Sequence, residues 1–131
     1  MQVSCTLPLS VGTDTRSIGM RGEEVVVQHL IHDGFSVCAR NYRQQYGEID
    51  IIARKGDLLV FVEVKLRAAS PFGLDHLVSR AKQRRISMVA REYMGRHNIT
   101  NKVCQFDVAL IERQGDGCYL TYIENAFVGD E

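Results

Sequence analysis

GEIDIIARKGDLLVFVEVK, residues Gly47 to Lys65, sets ionisable side chains inside two strongly apolar runs. Ile49, Ile51, Ile52 and Ala53 surround Asp50, while Val60, Phe61, Val62 and Val64 surround Glu63 and precede Lys65. The pattern predicts strands over Gly47 to Arg54 and Leu58 to Leu66, joined by a tight Lys-Gly-Asp turn. Side chains alternate along a strand, so Glu63 and Lys65 share a face and Val62 and Val64 take the other. With the turn centred on Gly56 and Asp57, Asp50 falls opposite or diagonal to Glu63. Two carboxylates that close repel, and they require a shared proton or a cation between them. A hard divalent cation such as Mg²⁺ or Mn²⁺ meets that need through oxygen ligands. The plainer alternative is an Asp–Lys or Glu–Lys ion pair at a strand end, since an isolated E-x-K is common.

The flanking sequence adds charged residues at inward-facing positions. Arg16 to Asp33 is predicted to be a helix closed by Gly34. Glu23 falls in the middle of its apolar stripe, at helical spacing from Val26, Val27 and Leu30, whereas Glu24 lies at the solvated margin. A second helix runs from Arg80 to about His97 with Ser79 as its N-cap. There Lys82 heads the stripe of Ile86, Val89 and Tyr93. Long charged side chains can snorkel from such positions, so each alone is weak evidence. Two that can converge on the acidic hairpin, itself a third anomaly, are much stronger.

Phe35 to Asn41, Val103 to Glu112 and Tyr119 to Ala126 complete the strands, and RAASPFG reads as a loop. The order is αβββαββ, with no repeat, low-complexity tract or linker. That order implies a single α/β domain over residues 16–131 whose mixed sheet is flanked by helices. The first fifteen residues lack the features of a signal peptide and read as a mobile tail. The chain has 131 residues, 45% of them hydrophobic, and no apolar run long enough to span a membrane. Its four cysteines show no metal-binding spacing, which points to free thiols in a reducing cytoplasm. The four histidines are scattered and form no recognisable triad or metal spacing.

Net charge is zero, but it is unevenly placed. Lys65 to Lys102 holds nine Lys and Arg against two acids, a balance of +7, so the remainder carries −7. The basic stretch is either a solvated helix face or a phosphate-binding surface. The asymmetry also suits a homodimer surface. Asp107, between Phe106 and Val108, reads as a structural acid within a strand and stays outside the site.

The set GEEVV…GF, GEIDIIA, VFVEVKLR, AKQRR and QFDVALI resembles the YraN family of bacterial proteins, over nearly all of Gly19 to Phe127. Glu23, Asp50 and Glu63-Val64-Lys65 also look like the PD-(D/E)xK nucleases, with the order found in archaeal Holliday junction resolvases. Ile49 stands where that name has proline. The resemblance implies a restriction endonuclease-like αβββαβ core and a metal-dependent phosphodiesterase acting on DNA. Asp50 and Glu63 would be the ligands of Mg²⁺ or Mn²⁺, with Glu23 as a third acid and Lys65 as the catalytic lysine. Lys82 and Arg85 match a K-x-x-R feature and would contact phosphate. Arg67 and Arg84 extend that basic surface, and Arg43 is a further candidate contact, although capping of the strand is the plainer reading of Asn41 and Arg43. No base-reading motif is present, so recognition by shape, such as a branch or flap, is expected. The rival is a binding module of the same fold, holding nucleic acid or a partner without cutting.

Overall fold

The computed structural model describes residues 2–5, 15–68, 77–114 and 117–129. Its elements are β1 (Gln2–Cys5), α1 (Thr15–His32), β2 (Ser36–Gln44), β3 (Gly47–Lys55), β4 (Leu58–Ala68), α2 (Arg80–Arg96), β5 (Val103–Gln114) and β6 (Gly117–Phe127). They build a six-stranded sheet of order β1-β6-β5-β4-β3-β2. All neighbours are antiparallel except β4 and β5. A parallel pair needs a crossover, and α2 lies within it.

Apolar residues on alternating positions divide the core between the two faces of the sheet. On one face, Val26, Val27 and Leu30 of α1 pack against Ile51, Val60, Val62 and Ile111. On the other, Ile86, Val89 and Tyr93 of α2 pack against Ile52, Leu59, Phe61 and Val108. Both stripes expected from the sequence therefore face inward, and the α/β architecture is consistent with a restriction endonuclease-like core. Gly22 brings α1 close to the sheet: a Cβ there would lie 3.1 Å from Ile111 Cδ1. Ser79 caps α2 by accepting a hydrogen bond from the Lys82 backbone N–H at 3.1 Å. Among the described residues no helix is long and apolar enough to cross a membrane.

Two readings of the chain change. Gln2–Cys5, inside the stretch read as a mobile tail, forms an edge strand paired with Cys118–Thr121, so that reading is corrected for these four residues. The predicted strand ending at Asn41 runs on to Gln44, because its ladder with β3 continues to Gln44↔Gly47. The RAASPFG loop falls partly, and His76 wholly, outside the described residues.

The hairpin of β3 and β4 has the expected register. Lys55 pairs with Leu58 across a turn of Gly56 and Asp57, and Gly56 supplies the left-handed φ of 58°. The pairing runs regularly to Ile51↔Val62, which brings Asp50 and Glu63 to the next position.

Candidate active site

Asp50 sits where the sheet stops alternating. Ile49 packs in the α2 core and Ile51 in the α1 core, although residues two apart on a regular strand share a face. The break is matched across the ladder. Arg40 pairs with Ile51 and Tyr42 with Ile49, which leaves Asn41 opposite Asp50. Asn41 has φ 51°, a left-handed conformation that asparagine tolerates better than most residues. Ala39 and Tyr42, an odd number of residues apart, consequently both reach the α2 core. Beyond Ile51↔Val62 the Asp50 carboxylate turns back on β4, where its Oδ2 accepts the backbone N–H of Val64 at 2.8 Å. A polar break in both strands thus opens the sheet at one point and places an acid there.

Glu63 is the neighbouring acid, and its side chain is only 7% exposed. Its Oε1 lies 2.6 Å from Lys82 Nζ, at the start of α2. Burial, and then the charge of Glu63, push the Asp50 carboxyl up to about 7, while the Val64 N–H works in the opposite direction. Glu23 comes in from α1. Burial raises its carboxyl above the ordinary range, against the Asn41 hydrogen bond and the Arg40 charge; Glu48 and Glu63 add to the rise. The Asn41 amide, oriented by its acceptors, donates to Glu23 from 3.3 Å and to Glu48 Oε1 from 3.1 Å. Glu24 is exposed, as expected, and pairs with Arg40 at 2.9 Å.

Among the described residues no three His, Cys, Asp or Glu side chains form a ready-made metal cage. The expected set of Glu23, Asp50 and Glu63 is therefore close enough to interact electrostatically but not gathered as a ligand sphere. The physical reason is visible in the partners: like charges repel, and each acid is drawn to its own donor. Asp50 takes Val64, Glu63 takes Lys82, and Glu23 takes Asn41.

Gly47, Glu48, Asp50, Glu63, Lys82, Arg85 and Ile86 line a cavity of about 130 Å³. One wall is acidic and the other basic. Lys65 follows Glu63 on the same face of β4, half-buried, with no hydrogen bond or ion pair among the described residues. Arg67 comes two residues later. Its buried Nε lies 3.7 Å from Glu112 and has no hydrogen-bond partner among the described residues. Arg84 and Arg85 are exposed on α2, whereas Lys82 is tied to Glu63 rather than offered freely to phosphate. Arg43 lies on exposed β2 and reaches Glu48 at 3.4 Å.

Two site members carried only faint sequence signals. Asn41 stands in RNYR, where a strand would favour a β-branched residue, and Glu48 stands in GEID, before the acid that drew attention. Asp107 stays outside the site and is buried with three donors of its own. Of the histidines, His29 lies against the Tyr122 ring and His97 against the Tyr93 ring.

The fold and site define a class: a mixed α/β domain with a paired-acid site at a broken strand crossing, faced by a basic helix. Residues 22–111 match the model of Uncharacterised protein family UPF0102, and the chain belongs to that family. A UPF0102 protein of Dictyoglomus turgidum is 41% identical over 117 residues, covering 87% of this chain and 99% of its own length. A UPF0102 protein of Syntrophus aciditrophicus is 38% identical over 116 residues, covering 88% and 91%. One from Myxococcus xanthus is 36% identical over 115 residues, covering 87% and 91%.

Proposed function

We propose that the protein is a metal-dependent endonuclease that hydrolyses DNA phosphodiester bonds and selects branched or flapped DNA by shape. The observation that carries this reading is the adjacent pair of buried Glu63 and partly buried Asp50, with Lys65 on the same face and a basic helix across the cavity. Val64 engages Oδ2 of Asp50 and Lys82 engages Oε1 of Glu63, so Oδ1 and Oε2 remain to serve as ligands. Hard oxygen donors of this kind fit Mg²⁺ or Mn²⁺. When bound there, the ion supplies Lewis-acid polarisation of the scissile phosphate and lowers the pKa of an attacking water. Lys65 orients that water and stabilises the charge that develops on the phosphoryl oxygens. Glu23, restrained by Asn41, accepts a hydrogen bond from water at the edge of the site. Arg84 and Arg85, exposed on α2, track the backbone, and Arg67 adds positive charge to that surface. Two copies of the chain would offer a junction two such sites.

A non-catalytic module of the same fold is favoured by one specific observation: the Lys82–Glu63 pair neutralises Glu63 without any metal. Gel assays on junction, flap, single-stranded and duplex DNA separate the readings. Mg²⁺-dependent cutting, strongest on junction or flap and abolished by Lys65→Ala with most binding retained, is the expected result. Equal cutting of all four substrates removes the shape preference. Binding without cutting of any of them assigns the protein to the second reading.

A further inference from the structure

Lys82 is held in an unusual place. It occupies the first turn of α2, where the backbone dipole disfavours a cation and no acid is present. Its ammonium group nevertheless meets Glu63, the more buried of the two adjacent acids, at 2.6 Å. That position supplies positive charge to the pair Asp50 and Glu63 from within the same cavity. The other basic residue of the cavity is Arg85, which lines the wall that Lys82 shares and is exposed to solvent. Lys82 is 35% exposed, so its flexible four-carbon stem has room to swing toward that wall.

We infer that Lys82 is a built-in counter-ion that holds the cation seat of Asp50 and Glu63 until a phosphodiester draws it away, so that metal and nucleic acid bind cooperatively. This rests on the metal-dependent reading above and adds its order of assembly. With Lys82 on Glu63, an incoming divalent ion meets a seat already neutralised by one charge, and it binds less tightly than it would to the free pair. A phosphate at the basic wall offers Lys82 a second anion. Release of Glu63 then restores the full negative charge of the pair, and the ion is held more tightly. By linkage the converse holds: metal on the acids frees Lys82 for phosphate and strengthens DNA binding by the same factor. A nuclease built this way holds its metal more loosely when no substrate is present.

The test is Mn²⁺ affinity by electron paramagnetic resonance at about pH 8, where carboxylates are ionised. It uses a Lys65→Ala background so that DNA stays intact, with and without a short duplex. In that background the duplex should tighten Mn²⁺ binding by about fivefold or more. Adding Lys82→Met should raise DNA-free affinity by a similar factor and shrink the effect of the duplex. Arg85→Met removes the same charge from the same cavity, but Arg85 has no ion pair with an acid among the described residues, and this change should raise affinity far less. Equal gains from Lys82→Met and Arg85→Met, or no gain from either, would overturn the counter-ion role while leaving the metal seat standing. Glu63→Gln distinguishes the two failures. If Mn²⁺ binds the parent but is unaffected by Glu63→Gln, or does not bind the parent at all, the metal seat itself is wrong and this inference goes with it.

Discussion

Two acids of this molecule lie in adjoining parts of one sheet and have opposite surroundings. Asp107 on β5 is only 1% exposed, yet it receives Gln105 Nε2 at 2.9 Å, the Tyr122 hydroxyl at 2.5 Å and the Asn125 N–H at 3.1 Å. Asp50 on β3 is less buried but receives one N–H and faces a second carboxylate. Burial alone therefore does not mark a functional acid. What marks it is a shortage of donors beside a like charge, which the native protein retains although a hydrophobic residue would remove the conflict. Asp107 serves the fold, and Asp50 carries a cost that a bound proton or, on the proposed reading, a cation offsets.

Asp107→Ala puts the greatest strain on this contrast. It leaves the Tyr122 hydroxyl, the Gln105 amide and the Asn125 N–H without their acceptor, and should lower stability by about 3–5 kcal/mol. Urea denaturation measures this; a loss below about 1 kcal/mol would mean that Asp107 is not the structural acid it resembles.

Asp50→Asn should act in the opposite sense and with a pH signature. The Asp50 carboxyl is raised from its ordinary value to about 7, so the folded state holds a proton that the unfolded chain has already released. Its stabilising contribution is full below about pH 4 and is lost as pH rises through about 7. In metal-free buffer, wild type should therefore lose about 3 kcal/mol relative to Asp50→Asn across that window. Parallel stability curves for the two proteins would show that Asp50 is not frustrated.

Glu63→Gln has a smaller expected effect. The amide relieves repulsion on Asp50 but gives up the Lys82 pair, and Lys82 can turn to solvent. A net change of about 1 kcal/mol or less is expected from thermal or urea unfolding. A loss as large as that of Asp107→Ala would recast Glu63 as a structural acid.

The weakest effect falls on the basic helix. Arg85→Ala should lower DNA affinity equally for unrelated sequences and reduce the salt dependence of binding by about one phosphate contact. An unchanged slope across a salt series would return that face to plain solvation.

The hairpin, both helices and the inward positions of Glu23 and Lys82 were legible because hydrophobic periodicity encodes them directly. Asp50 and Glu63 stood out as acids in apolar runs, and a two-residue turn fixed their register. The break at Asn41 was not legible in the same way. Its left-handed φ depends on the ladder across the strand, and an asparagine by itself does not specify that conformation. Glu48 was hidden by its alternating, surface-like position, and its role arises only because Asn41 bends toward it. Lys82 was placed correctly on its helix but assigned to phosphate. Its pairing with Glu63 depends on the distance between α2 and β4, which no local pattern encodes. The strand at Gln2–Cys5 was missed because four residues without clear alternation resemble a tail until β6 is there to pair with them.

Calorimetric titration of Mg²⁺ into wild type, Asp50→Asn and Asp107→Asn tests the contrast between the two acids most directly. Wild type and Asp107→Asn should bind with similar affinity, because Asp107 already has its donors, while Asp50→Asn should remain folded and lose binding. Equal Mg²⁺ affinity in wild type and Asp50→Asn would contradict the assignment of the cation seat to the broken strand crossing.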